Sequence, residues 1–419
     1  MEETIFIQIA AYRDPELVPT VKDCIAKAAK PENLRFCIGW QYAEGENIDG
    51  IRDIPNIQII SIPHTQTRGA CWIRRIIQDE YKNETYTLQL DSHHRFIQDW
   101  DKVLIDMLKG LKKKKIKKPL LTSYLPHYEP STDPVGRVNE PWQLNFDRYL
   151  PEGPIFLKPS TLRNYKTMTA PAPSRALSGH FIFTIGKFCK EVKYDPQLYF
   201  HGEEISLAIR AFTHGYDLYH PHIVVMWHQY TRASAKRHWD DHKNWPELNN
   251  LSYKRVKILL GVDGEDPNQI DFKECGLGKV RTLHDYERYA GTEFKTRKVH
   301  PDVIKEELPP INYTTEEEFQ KALICRFKHC IDVYKPDVPL DDYDFWCVVF
   351  KDKNDKDMYR QDADANEIKS FFASAADDRF LHIWREFDSN EKPYKWTIWP
   401  HSKSRGWETK LLENIILYP

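Results

Sequence analysis

The chain has 419 residues, enough for two domains or one large one, and its 60 basic and 62 acidic side chains leave a formal charge of −2. That balance excludes a global field drawing it to nucleic acid or a membrane surface, and no run approaches the roughly 20 apolar residues of a membrane span. The opening "MEETIFIQIAAYRD" lacks the basic and apolar pattern of a secretion leader, and the eight cysteines are scattered singly, so reduced thiols and a cytoplasmic location are expected.

In chain order, "TIFIQIAAY" (4–12) predicts a buried strand and "PELVPTVKDCIAKAAK" the helix after it. "LRFCIGWQY" (34–42) and "IQIISIP" (57–63) predict two more strands. The spacing of Ala70, Ile73, Ile77 and Tyr81 predicts a helix within 67–83, and "TYTLQL" returns to strand. Strand and helix taking turns argue for an α/β fold with a mostly parallel sheet flanked by helices, where ligands sit beyond the carboxyl ends of the strands. The lysine run "KKKKIKK" (112–118) reads as a solvated helix end. Residues 126–176, rich in Pro, Tyr and polar side chains, predict a long irregular functional loop. "GEEISLAIRAFTHGYDLYHP" then predicts a helix stopped by Gly215 and a strand, and "IVVMWH" (223–228) is an apolar run ending in a histidine.

Beyond Pro301 the composition changes. "VIKEELPPINYTT" reads as a linker, and Thr315 to Glu318 as a capping box opening a helix with Phe319, Leu323, Phe327, Ile331 and Tyr334 on one face. Strand-like runs dense in aromatics follow, "YDFWCVVF", "RFLHIWREF" and "YKWTIW". The division expected is therefore 1–304 and a smaller β-rich domain, 305–419, with no internal repeat.

The stretch "TLQLDSHHRF" (87–96) ends a buried strand in an acid and two imidazoles. Asp91 and His93, at i and i+2 of an extended segment, face the same way and can meet one cation. A carboxylate with an imidazole suits Mn²⁺ or a similar divalent ion better than a structural zinc. A strand-end aspartate forming a turn, with His93 merely exposed, fits the same letters. His228 is a candidate third ligand or a satisfied strand end. Glu203 and Glu204 open a helix behind a glycine, where acids favour the macrodipole by a few tenths of a kcal/mol; a polar, hydroxyl-rich ligand is the functional alternative for Glu203. "TRGACWIRR" puts Arg68, Gly69 and Arg74 at a helix start, suited to a diphosphate or simply to a basic surface helix. No Walker loop, GxGxxG fingerprint or GxSxG elbow is present, which argues against NTPases, dehydrogenases and serine hydrolases.

Taken in order, these pieces resemble a metal-dependent nucleotide-sugar glycosyltransferase of the Rossmann-like GT-A type. "AYRD" looks like its nucleotide-binding opening, "RGACWIR" like the segment after its third strand, "DSH" like its metal-binding signature and "SGHFIF" with "YFHGEEISLAIRAFTHGYD" like its acceptor-side block. Within that class the chain most resembles the cytoplasmic polypeptide α-N-acetylglucosaminyltransferases that modify hydroxyproline, through "LDSHHRF", "HGEEISLAIRAFTHGYDLYHP", "WHQYTR", "KRHWDDH", "LNNLSYKRVKILLG" and "GLGKVRTLHDYERYAG", spread over residues 4–295. The resemblance implies retaining transfer of N-acetylglucosamine from UDP-GlcNAc to a hydroxyl of a protein or peptide. It implies Mn²⁺, or another divalent cation, held by Asp91, His93 and His228. It places Asp91 and Glu203 at the reaction, and Ala10, Tyr12, Arg13, Arg68, Gly69 and Arg74 along the nucleotide. Ser178, Gly179 and Glu203, more than Glu204, would meet the sugar, with Glu204 also counted among the donor-binding residues and Arg232 and His238 closing over the phosphates. No general base is implied, since the leaving phosphate can take the acceptor proton. A homo-oligomer is compatible with this reading.

Two other functions compete. A metal-dependent phosphoesterase would use "DSHH" in a two-metal site, but "IAAYRDPE" supplies no matching upstream ligands. A carbohydrate-binding protein without catalysis would use Trp346, Trp384, Trp396 and Trp399 as stacking platforms, although alternation in "YKWTIW" assigns about half of such tryptophans to a core.

Overall fold

The computed structural model describes residues 3–232, 235–338, 342–374 and 379–417. The chain forms two compact units, one of residues 1–296 and 302–313 and one of 297–301 and 314–419.

The first unit is built on an eight-stranded sheet. Its strands are β1 (Ile5–Tyr12), β2 (Leu34–Tyr42), β3 (Ile57–Pro63) and β4 (Tyr86–Asp91), followed after β5 (His94–Phe96) by β6 (Pro119–Thr122). The hairpin β7 (Trp142–Tyr149) and β8 (Ile155–Thr161) stands apart, and β9 (Ala172–Pro173), β10 (Phe181–Ile185), β11 (Asp217–His220) and β12 (Met226–His228) follow. The sheet order is β3-β2-β1-β4-β10-β6-β11-β9, with β10 and β9 reversed and the other strands co-directional. This is the mostly parallel, helix-flanked α/β fold that the alternation predicts.

The sheet is buried because β1 is apolar on both faces. Ile5, Ile7 and Ile9 pack with Leu17 and Val21 of the helix Leu17–Ala26 and with Leu104 and Leu108 of Trp100–Lys113. Phe6 points the other way and packs with Ile73 and Ile77 of the helix Ala70–Asp79. Each layer removes a continuous apolar face from water, the dominant favourable term in such a fold. The lysine run ends the helix Trp100–Lys113 in exposed residues, as predicted.

Two expectations are corrected. Residues 126–176 are not without order, since they hold the β7–β8 hairpin. Its alternation is masked because Gln143 and Asn145 are buried like Leu144 and Phe146, the Gln143 amide donating to Asn145 Oδ1 at 2.9 Å and the Asn145 amide to Ser160 Oγ at 2.7 Å. In the second unit, the helix opened by Thr315 spans Glu316–Ala322 and stops; Cys325–Tyr334 is a strand. Phe319, Leu323, Phe327 and Ile331 recur every four residues, and four is also twice the strand period, so the spacing fits both structures. Phe327, Ile331 and Val333 are buried while Tyr334 faces solvent, the alternation of a sheet.

The second unit is β-rich. Cys325–Tyr334 pairs with Phe380–Ser389, and a six-stranded sheet is centred on Tyr343–Lys351 and Lys395–Ser402. Trp346 and Trp396 belong to its core, whereas Trp384 and Trp399 are exposed. Among the described residues no helix is long and apolar enough to cross a membrane.

Candidate active site

After β1 the chain builds β2 and β3 to one side, then returns through Ala70–Asp79 to place β4 on the other side of β1. The strand order therefore reverses between β1 and β4, and a crevice at the carboxyl ends of these strands is where open α/β sheets bind ligands. Ala10 of β1 pairs with Asp91 of β4 at that edge. A pocket of about 280 Å³ opens there.

Asp91 divides its two oxygens between different neighbours. Oδ1 accepts a hydrogen bond from Arg74 at 2.5 Å. Oδ2 faces His93 Nε2 at 3.8 Å and His228 Nε2 at 3.6 Å, beyond hydrogen-bond length. Ligand atoms of the three residues lie within 4.8 Å of one another. Burial pulls the Asp91 carboxyl upward, but the charge of the Arg74 guanidinium outweighs it and holds the carboxyl well below its ordinary value.

His228 arrives from another part of the chain. The strand β12 pairs with β5, with His228 opposite His94, and the ring is enclosed by His93, His94, His180 and Tyr230. Burial, reinforced by the neighbouring imidazoles, holds its pKa well below the ordinary histidine value despite the pull of Asp91. Neither ring nitrogen of His228 has a hydrogen-bond partner, and a neutral imidazole there offers a lone pair to a cation. An unpaired buried polar group costs about 1–3 kcal/mol. Asp91, His93 and His228 would hold a divalent ion, which would give one of those two ring nitrogens a partner, so the donor set fits the cation.

His93 is oriented for the same role. Its Nδ1 sits 2.8 Å from Asp14 Oδ2, which leaves Nε2 toward Asp91. The same Asp14 oxygen accepts from Ser92 Oγ at 2.6 Å and from Arg232 at 3.0 Å. Burial alone would raise the Asp14 carboxyl; His93, Arg232 and Ser92 together hold it below its usual range. A carboxylate behind a ligating imidazole fixes ring orientation and raises ligand basicity.

Arg74 is buried and bridges Asp91 to Glu203, which also accepts from Tyr194 Oη at 2.8 Å. Glu203 is buried and lies behind Arg74, outside the pocket lining. Gly179 presses against this pair, where a Cβ would come within 2.7 Å of Arg74 Nη1, so any side chain there would displace the guanidinium. Glu204 accepts from the Gly179 amide at 2.9 Å and Tyr124 Oη at 2.6 Å, and burial pushes its carboxyl up to about 7. Ser178 is fully buried, accepting the His180 amide at 3.2 Å.

Of the residues predicted for the site, Ala10, Tyr12, Gly69, Arg74, Asp91 and His93 line the pocket, joined by His228, Arg232 and His238. Gly69, at φ +106°, is in a conformation side chains rarely adopt and packs on Tyr199. Arg13 does not line the pocket; it donates to Glu46 at 3.1 Å and to Asp241 at 2.9 Å. Arg68 is exposed and lines a separate cavity with Leu198 and Leu251. Ser178, Gly179, Glu203 and Glu204 form the layer behind Arg74 rather than the pocket wall.

Asp14, His180, Tyr194 and Asp241 are further residues of this site that the sequence pattern does not single out. Asp14 stood in plain view at the end of "AYRD", two residues past β1. Asp241 accepts from Tyr12 Oη at 2.7 Å and ties the segment after β12 to the end of β1, a link no local pattern reveals. Lys236 and Arg237 also line the pocket and join Arg232 as cations there.

The family model described as Glycosyltransferase (GlcNAc) matches residues 4–54 and 49–296, the span that holds every residue of this site. The chain belongs to the glycosyltransferase (GlcNAc) family. No curated protein matches it in sequence. Among solved structures, this family member is similar to GalNAc-T7 with UDP, GalNAc and Mn²⁺, at 15% identity over 68% of this chain and 53% of the neighbour, with a TM-score of 0.45. It is also similar to residues 1–349 of S. aureus TarS in complex with UDP-GlcNAc, at 10% identity over 61% of this chain and 66% of that one, with a TM-score of 0.36. The chain thus spans between about half and two thirds of these neighbours, and no residue role is transferred from them.

Proposed function

We propose that this glycosyltransferase-family protein moves N-acetylglucosamine from UDP-GlcNAc to a hydroxyl of a protein or peptide, with retention, using Mn²⁺ or another divalent cation. The observation that carries the reading is the gap between Asp91 Oδ2, His93 Nε2 and the unpartnered His228 at the strand-order reversal. When bound there, the cation would supply charge neutralisation to the departing diphosphate. The chain's own residues would do the rest. Arg74 holds Asp91 ionised and fixed, and Asp14 fixes His93. Arg232, Lys236 and Arg237 bring positive charge to the pocket for the phosphates. Tyr12 offers its ring to uracil, with Arg13 and Asp241 bracing the loop beside it. Glu203 supports the sugar side through Arg74. No residue is assigned as general base.

All eight cysteines are free thiols, which suits a reducing compartment, and a cytoplasmic location is part of the same proposal. The phosphoesterase reading has less support: among the described residues the first unit holds one three-ligand cluster, not the pair of metal sites such chemistry uses. The test is a panel of UDP-sugars with Mn²⁺, measuring UDP release with and without hydroxyl-bearing peptides. The expected result is preferential release from UDP-GlcNAc, increased by acceptor. Sugar-nucleotide binding without release from any donor would overturn catalysis and favour the carbohydrate-binding alternative.

A further inference from the structure

A second cluster of ligand atoms lies in the other unit, away from any role assigned above. The strands Cys325–Tyr334 and Phe380–Ser389 pair antiparallel, with Asp332 opposite His382 and Cys330 opposite Trp384. Strand alternation sends Phe327, Ile331, Leu381 and Ile383 into the core. It therefore places Cys330, Asp332 and His382 together on the outer face. Cys330 Sγ lies 3.6 Å and His382 Nδ1 2.8 Å from the same Asp332 oxygen. All three ligand atoms fall within 4.8 Å of one another.

We propose that Cys330, Asp332 and His382 form a second metal site, selective for Zn²⁺ or a similar borderline transition ion and distinct from the Mn²⁺-type site at Asp91. Four observations support it. A tetrahedral ion with metal–sulfur near 2.3 Å and metal–nitrogen or –oxygen near 2.0 Å sets ligand separations of about 3.3–3.8 Å. The Sγ–Oδ1 separation of 3.6 Å already meets that, and the Asp332–His382 pair opens by about half an ångström when an ion replaces the proton between them. Thiolate with imidazole selects zinc-like ions over Mn²⁺, which prefers oxygen ligands. Cys330 and Cys347 are the two half-buried cysteines, the other six being packed away as small hydrophobes, and of these two Cys330 is the one beside a carboxylate and an imidazole that share its outer face. Finally, the Asp332 and His382 side chains are 61% and 44% exposed, so an ion reaches them without any movement of the sheet. Because each ligand projects from a paired strand position, the set is held by backbone register rather than by a loop. Three protein ligands leave one position for water or an outside donor.

Binding would release the thiol proton of Cys330 and leave the ring proton of His382 on Nε2, so that Nδ1 offers its lone pair to the metal. The metal gains a thiolate, an imidazole and a carboxylate, with no change of oxidation state. The experiment titrates the full-length, reduced protein with Co²⁺ and reads the near-ultraviolet thiolate-to-Co²⁺ band, to which an Asp-His-His site contributes nothing. The expected result is a band saturating at one thiolate-bound ion per chain, displaced by Zn²⁺ and not by Mn²⁺. Cys330→Ser is expected to abolish it, and His382→Ala to weaken Co²⁺ affinity at least about tenfold. Absence of the band in the unaltered protein overturns the proposal whatever the variants do. So does a band that persists in Cys330→Ser.

Discussion

The clusters at Asp91 and at Cys330 each gather three potential ligands, yet they reach that state by opposite routes. At Asp91 the candidate ligands come from β4, the segment after it and β12, are enclosed by other imidazoles, and leave the two ring nitrogens of His228 without a hydrogen-bond partner. At Cys330 they come from two neighbouring strands, face solvent, and satisfy one another through the Asp332 carboxylate. The first arrangement is costly to the folded protein until something fills it; the second costs little either way. An unpaired buried imidazole of the first kind is a cost that the proposed metal role accounts for. Exposed self-satisfied ligands are compatible with an occasional or regulatory ion. The ligand chemistry separates them again, oxygen and nitrogen in one, sulfur in the other.

The sharpest way to break this contrast is Asp91→Asn. It removes the charged ligand facing both imidazoles, and UDP-sugar turnover is expected to fall about a thousand-fold, the equivalent of about 4 kcal/mol. Steady-state UDP release, with circular dichroism to verify folding, checks it. An unaltered rate would remove the distinction between the two clusters.

Glu203→Gln tests whether the layer behind Arg74 is structural or touches sugar. Glu203 is buried on Arg74 and Tyr194, so losing its charge is expected to cost about 3 kcal/mol of stability and to lower turnover in parallel. Thermal melting and transfer are measured on the same sample. Lost transfer with an unchanged melting temperature would move Glu203 from supporting Arg74 to contacting sugar.

Asp14→Asn probes orientation alone. His93 keeps its place in the chain but loses the carboxylate behind Nδ1, and Mn²⁺ affinity is expected to fall about 10- to 100-fold. Calorimetric Mn²⁺ titration reads it. The cobalt band at Cys330 should not change in this variant.

The smallest effect concerns pH. Glu204 has an ordinary value of 4.5 and about 7 when folded, so the folded state holds its proton more tightly. Its contribution is fully present below pH 4.5, declines as pH rises through about 7 and is flat above. Glu204→Gln is expected to remove this slope, on the order of 1 kcal/mol given the partial exposure of the side chain. Denaturant unfolding at pH 4.5, 6 and 8 tests it; an identical slope in the variant contradicts the assignment.

What the sequence disclosed depended on whether the signal was local. That Asp91 and His93 come together was legible because residues at i and i+2 on a strand end face the same way, which needs no knowledge of the fold. His228 was legible as a candidate because an apolar run ended in it. His94 and His180, which wrap it, became meaningful only when β5 paired with β12 and β10 with β4. The β7–β8 hairpin was hidden by buried glutamine and asparagine that bond to each other, so no apolar alternation appeared. The strand after Ala322 was misread because a four-residue recurrence satisfies both helix and sheet. Arg68 and Arg74 part company in the fold: the helix begins only at Ala70, so Arg74 lies within it and is buried, while Arg68, two residues before it, is exposed.

The most direct test of the account is Mn²⁺ binding in the presence of UDP, followed by the loss of the free-ion electron paramagnetic resonance signal, in the unaltered protein and in His228→Ala. The account predicts one tightly bound Mn²⁺ per chain with UDP, and affinity reduced at least about tenfold in the variant while its fold is retained. Equal Mn²⁺ affinity in His228→Ala would contradict the claim that the unpartnered imidazole is there to hold the metal.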